Sequence, residues 1–186
     1  MNRSSVGRLF VGVPIPGEVR SALEAHLRAT FGERVPGKPV PPQNWHLTLR
    51  FLGDTDAERH RRLVEGLRET GAGPAFGLSF GGLGAFPRPA RATVLWVGVG
   101  EGRDEIRALA AKVEQAARDA GFAPEEKEFS PHLTLSRLNP PADLRRDVQT
   151  ARPFGGRMTV DSFVLFRSHL GGGPPRYERM ESFPLT

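Results

Sequence analysis

The chain has 186 residues, 38% hydrophobic and 25% charged, with apolar residues spread along its whole length, which suits one globular domain with a sizeable core and excludes a disordered protein. It has no cysteine, which excludes a disulfide scaffold and cysteine-ligated zinc or iron–sulfur centres. The formal net charge of +5 is carried almost wholly by arginine, with Lys38, Lys112 and Lys127 as the lysines; this favours polyanionic partners, with genome-wide base composition as the alternative source of the bias.

Met1 to Ser5 is polar and lacks the apolar core of a signal peptide. No run approaches the roughly 20 apolar residues of a membrane span, so the expected setting is the cytoplasm, with no membrane partner. Leu9 to Val13, bounded by Pro14 and Pro16, reads as a strand. From Gly17 to Thr30, Val19, Ala22, Leu23, His26 and Leu27 recur at helical spacing. Residues 46–52 alternate as a strand. Asp54 to Thr70 reads as a helix with Leu63, Val64 and Leu67 inward and an acidic start at Asp54 and Asp56. Phe76 to Phe80 reads as a strand, and Gly81 to Pro89 as a Gly- and Pro-rich loop. Thr93 to Val99 is a second opening strand. Arg103 to Ala120 is a helix with Ile106, Leu109, Ala110, Val113 and Ala117 inward. Residues 132–138 form a strand, Ala142 to Thr150 a short helix, and Met158 to Phe166 a strand. Gly171 to Pro175 is a tight turn before a closing strand, Arg176 to Phe183, which contains Tyr177.

The order of elements repeats because the sequence does. HLTL stands at 46–49 and again at 132–135, a separation from 46 to 132 of 86 residues. LFVGV at 9–13 and LWVGV at 95–99 lie 86 apart as well, and Glu18-Val19-Arg20 matches Glu105-Ile106-Arg107 at 87. Two equivalent halves are too few for a solenoid. The expected fold is α+β: residues 1–186 as a single domain of two similar lobes related by a pseudo-two-fold axis, two antiparallel sheets facing across a central cleft, helices on the outer sides.

Side chains alternate along a strand. His46, Thr48 and Arg50 would then share one face, with Leu47, Leu49 and Phe51 on the other; His132, Thr134 and Ser136 would oppose Leu133 and Leu135. The leucines suit a core. The polar faces would meet across the cleft, two imidazoles and two hydroxyls around one point. That set suits metal-free hydrolysis of a ribose 2′,3′-cyclic phosphate: one histidine activates water, the other protonates the leaving oxygen from the opposite wall, and the threonine hydroxyls donate to the non-bridging oxygens. A single strand histidine is usually a hydrogen-bonded structural group, but a duplicated structural strand has no need to repeat one. A metal site would need a third ligand, and neither tetrapeptide carries Asp or Glu; His26, His60 and His169 lie scattered as a partly buried, a solvent-facing and a loop residue. No metal and no cofactor are expected. A catalytically idle RNA- or nucleotide-binding module is the remaining alternative of another class.

The runs NWHLTLRFLG at 44–53, SPHLTLSRL at 130–138 and RYERMESFPL at 176–185 resemble the 2H phosphoesterase superfamily, named for paired His-x-Thr-x motifs in a bilobal fold. Within it the chain looks like the bacterial and archaeal RNA 2′,3′-cyclic phosphodiesterases, historically called 2′-5′ RNA ligases. The resemblance spans essentially the whole chain. It implies hydrolysis of RNA 2′,3′-cyclic phosphate ends to a 2′-phosphate, and a reversible, ATP-independent 2′-5′ ligation. It implies that His46 is the proton donor to the leaving 3′ oxygen, that His132 is the proton acceptor that activates water, and that Thr48 and Thr134 hold the phosphate. The expected partners are RNA ends, tRNA halves or cyclic nucleotides among them, acted on by a monomer.

Four further residues are candidates for substrate binding. Arg137 could contact phosphate, but simple alternation puts it on the leucine face, so the strand would have to end or twist. Phe51, its counterpart in the first half, could stack on a base or pack in the core. Arg50 could reach phosphate or backbone, or form a solvent salt bridge. Tyr177, with Arg176 and Arg179, could rim the cleft or pack on the edge strand. Trp45 is expected under the neighbouring helix, and Arg88 and Arg91 in the 81–91 loop along an RNA strand or in solvent.

Overall fold

Alternation along β1 (Ser5–Pro14) sends Leu9, Val11 and Val13 into the core and leaves Phe10 and Gly12 on the opposite face. The structure, a computed structural model, describes residues 4–70 and 73–186. Helix α1 (Gly17–Phe31) follows Pro16 and buries Val19, Leu23 and Leu27 at four-residue spacing. It stops at Gly32, whose φ of +69° suits glycine and whose N–H bonds to the Arg28 carbonyl. A two-residue strand, β2 (Lys38–Pro39), and a 3₁₀ turn (Pro42–Asn44) lead into β3 (His46–Asp56) and α2 (Ala57–Thr70). Then come β4 (Phe76–Arg88), β5 (Arg91–Val99), α3 (Arg103–Asp119), β6 (His132–Ala142), α4 (Arg145–Thr150), β7 (Arg157–Val160), β8 (Ser162–His169) and β9 (Arg176–Pro184).

Two antiparallel sheets result, ordered β3-β1-β8-β9 and β2-β6-β5-β4-β7. The α+β class and the pair of antiparallel sheets agree with the sequence pattern, and β3 and β1 correspond to β6 and β5 as the repeat requires. The lobes, however, are not the two halves of the chain. Strand β4, from the first half, pairs with β5 because only Pro89 and Ala90 separate them, and a two-residue connection forces neighbouring antiparallel strands. Strands β8 and β9, from the second half, complete the sheet of β1 and β3. Helix α3 likewise packs on α2 and against β3. A Cβ on Gly66 would come within 3.3 Å of the Ala116 Cβ, so the missing side chain lets α2 and α3 approach closely.

Several element boundaries differ from the pattern-based expectation, each for a local reason. The helix expected from Asp54 begins at Ala57, because Asp54 and Asp56 stay paired with Arg8 and Ser5 of β1. Asp56 serves instead at the helix entry, accepting from the Arg59 N–H at 2.9 Å. The expected loop from Gly81 to Pro89 is mostly strand. Gly81, Gly82 and Pro87 fall at register shifts, where a bulge tolerates them. The strand expected over 158–166 is two: residues up to Val160 pair with β4, and those from Ser162 pair with β9 and, from Val164, with β1, in a different sheet. Strand β2 was not anticipated, since two residues show no periodicity.

Candidate active site

The two HLTL copies sit on β3 and β6, strands of different sheets that run beside each other. Each strand carries the same irregularity. Gly12 pairs with Thr48 and Val11 with Arg50, so Leu49 is an extra residue; Trp96 pairs with Thr134 and Leu95 with Ser136, so Leu135 is one too. A bulge of one residue reverses the faces beyond it. Both leucines stay buried. Past the bulge, Arg50 and Ser136 swing away from the histidine face, while Phe51 and Arg137 swing onto it.

This corrects the expected face of Ser136 and decides between the alternatives for Arg50, which makes a salt bridge and backbone contacts away from the histidines. Its guanidinium lies on the far side of β3, where it pairs with Glu114 of α3 and donates to the carbonyls of Phe51 and Ala123. Ser136 does not share the face of His132 and Thr134; it is wholly buried on the leucine side. Arg137 is the gain. It lies opposite Val94, on the face of β5 that carries Trp96 beside His132, and its positive charge opposes protonation of both His46 and His132 and works against the burial that raises the pKa of Tyr177. Phe51 is 59% exposed, its ring 6.0 Å from that of Phe10, so it is not a core residue.

Both imidazoles are fixed in the same way. The Nδ1 of His46 lies 2.7 Å from the Asn44 carbonyl, and the Nδ1 of His132 lies 2.7 Å from the Ser130 carbonyl. A carbonyl only accepts, so each Nδ1 carries the proton and each neutral ring presents a bare Nε2. The Nε2 of His46 lies 2.8 Å from the Thr48 hydroxyl, which donates to it. Burial lowers the His46 pKa to about 4 against the pull of the Asn44 carbonyl, with His132 and Arg137 adding repulsion. His132 is lowered also, by burial first and by Arg137. Strands β3 and β6 touch, and His132 is close enough to disfavour a proton on His46.

Aromatic side chains wall both rings. Phe10 and Tyr177 lie 4.8 and 5.4 Å from His46, with Phe166 behind at 6.2 Å. Phe86 and Trp96 lie 4.9 and 6.1 Å from His132. Trp96 packs flat over Gly84, where a Cβ would fall 2.2 Å from the indole. Tyr177 thus stands at the cleft, against the ring of His46, with its hydroxyl pKa raised by burial. Tyr177 was a candidate from sequence; Phe10, Phe166, Phe86 and Trp96 were not singled out, although Phe10 and Trp96 hold the same place in LFVGV and LWVGV. The symmetry is inexact: Phe10 corresponds to Trp96, yet Phe10 pairs with Phe51 and Trp96 with Thr134. The second motif strand is therefore slid along its neighbour. Pro14 lies opposite His46 and Gly98 opposite His132, so the two imidazoles have different surroundings.

The other candidates lie elsewhere. His26 packs on Phe154, and His169 bonds Glu178 at 2.6 Å at the end of β8. Trp45 is buried in the core. Arg88 and Arg91 pair at the tip of the β4–β5 hairpin. Among the described residues, no group of three or more His, Cys, Asp or Glu is placed to hold a metal ion, and no described helix is long and apolar enough to cross a membrane.

Residues 11–172 match the family described as the 2′-5′ RNA ligase superfamily. The chain is 39% identical over 154 residues to the RNA 2′,3′-cyclic phosphodiesterase of Aeropyrum pernix, covering 78% of this chain and 85% of that one. It is 38% identical over 181 residues to the protein of the same name from Archaeoglobus fulgidus, covering 95% and 99%. The crystal structure of E. coli LigT complexed with 3′-AMP superposes with a TM-score of 0.82 at 29% identity, covering 98% of this chain and 99% of that one.

Proposed function

This chain belongs to the 2′-5′ RNA ligase superfamily, and from that membership and the cleft we propose that it is an RNA 2′,3′-cyclic phosphodiesterase that converts cyclic phosphate ends to 2′-phosphates with two histidines and no metal. Its relatives at 38–39% identity carry that enzyme name, and LigT has been crystallised with 3′-AMP. The single observation that carries the mechanism is the paired imidazoles, each with Nδ1 tied to a carbonyl so that Nε2 is the reacting nitrogen, that of His46 meeting the Thr48 hydroxyl.

In the proposed reaction His132 Nε2 takes a proton from water as the water oxygen attacks phosphorus. The bond to the 3′ oxygen breaks on the opposite side, and His46 Nε2–H delivers a proton to that oxygen. The hydroxyls of Thr48 and Thr134 donate to the non-bridging oxygens, and Arg137 offsets the charge that builds on them. With a 5′-hydroxyl in place of water, the same two transfers yield a 2′-5′ linkage. His46 is neutral near pH 7 in the free enzyme, since its pKa is about 4. The substrate's negative charge raises it, so binding itself arms the acid. Phe51 and Tyr177 supply faces for the base and ribose of the terminal nucleotide.

The test is turnover in EDTA of an oligoribonucleotide ending in a 2′,3′-cyclic phosphate, with 2′- and 3′-phosphate products resolved. We expect 2′-phosphate only, and losses of about 10²–10⁴-fold in His46→Ala and His132→Ala. Binding without product, unaffected by either substitution, would identify an idle RNA-binding module. Loss of turnover in EDTA would revive a metal-dependent mechanism.

A further inference from the structure

Strand β2 is short but placed with care. Its register sets Lys38 directly opposite Arg137, and directly opposed residues of an antiparallel pair project from the same face. Arg137 lies opposite Val94, which shares the face of Trp96 beside His132, so Lys38 stands on the cleft face one strand further out. The backbone holds it there. The Val40 N–H donates to the Leu135 carbonyl at 2.8 Å, and Gly37 has a φ of +83° with room for no Cβ, which would fall 2.6 Å from the Arg137 carbonyl oxygen. Eight residues after Lys38, the same segment delivers His46. Like charges in opposed positions repel, and among the described residues neither cation has a carboxylate partner. Arg50, by contrast, is neutralised by Glu114.

Two unneutralised cations side by side, one of them at the reacting phosphate, leave the outer one to meet a second anion. In an RNA end the next negative charge along the strand is the phosphodiester that joins the terminal nucleotide to the one before it. A nucleoside 2′,3′-cyclic monophosphate lacks that group. We propose that Lys38 binds this phosphodiester and gives the enzyme its preference for a polymer end over a cyclic mononucleotide. The proposal rests on the phosphodiesterase reading and extends it to the substrate class.

The experiment measures kcat/KM of the full chain and of Lys38→Gln on a short oligoribonucleotide 2′,3′-cyclic phosphate and on a nucleoside 2′,3′-cyclic monophosphate, each across a salt series. The ratio of the two values is expected to fall about tenfold in Lys38→Gln, the order expected for one charge-assisted hydrogen bond. The log–log salt slope for the oligonucleotide is expected to shallow by about 0.7, the contribution of one phosphate contact on a single strand. Lys38→Arg keeps the charge and is expected to retain the ratio. An unchanged ratio in Lys38→Gln, or an unchanged salt slope, overturns the role of Lys38 while leaving the phosphodiesterase reading intact. A native chain that turns over neither substrate overturns both.

Discussion

At the scale of single residues, the two histidines have the same tether and different electrostatics. Each gives its Nδ1 proton to a carbonyl two residues earlier, Asn44 or Ser130. His46 is the more hemmed in, by burial and by the charges of His132 and Arg137, and its pKa falls to about 4; His132 is lowered too. The active form needs one ring protonated and one neutral. In free enzyme the proton on His46 is lost as pH rises past about 4, and the neutral form of His132 is gained below its ordinary 6.5. The optimum of kcat/KM is therefore expected below about pH 6.5. With an anionic phosphate between the rings both values rise, so the optimum of kcat is expected at higher pH. Paired pH–rate profiles test this. Coincident optima above pH 7 would show that phosphate does not retune the pair.

At the scale of elements, the bulge at Leu49 does two things at once. It turns Phe51 to the cleft, and it sends Arg50 outward to α3. Glu114 there accepts from Arg50, from Arg118 and from the Glu125 N–H, which ties β3, α3 and the segment approaching His132 together. Burial works against the Glu114 carboxylate, but these hydrogen bonds outweigh it and hold its pKa at about 2, down from 4.5. A depressed carboxylate stabilises the fold above its unfolded pKa and loses that contribution as pH falls through its folded one. The Glu114 contribution is thus full above about pH 4.5 and fades toward pH 2. Arg50→Ala is expected to lower stability by about 1–3 kcal/mol near neutrality, and by less near pH 2. Urea unfolding at the two pH values measures the difference. A loss independent of pH would assign Arg50 to packing rather than to charge.

At the scale of the molecule, the exchange of strands makes the lobes mutually dependent. The sheet of His46 takes β8 and β9 from the second half of the chain, and the sheet of His132 takes β2 and β4 from the first. One buried cluster runs from Leu9 and Val13 through Leu63 and Ile106 to Leu133 and Phe183, joining both sheets. Neither lobe can close its core without the other, so unfolding is expected as a single transition, with calorimetric and van't Hoff enthalpies equal. Two resolved transitions would mean that the lobes fold independently. Cutting the chain between the repeats, near residue 90, is also expected to give two fragments that fold only together.

The sequence by itself determined the repeat, the α+β class, the positions of most strands and helices and the pair of histidines with their threonines, because these are local patterns of period two or 3.6 duplicated at one offset. It was also enough to mark Arg137, Phe51 and Tyr177 as candidates. Only the tertiary structure decided which way Arg50, Ser136 and Arg137 face, because a one-residue bulge inverts a strand while leaving no mark on its alternation. It alone decided that β4 joins the second sheet and that the strand expected over 158–166 divides between the two, since partner choice depends on what lies across the ladder. The lowered histidine pKa values and the place of Lys38 beside Arg137 arise likewise from burial and register, which exist only once distant segments of the chain have met.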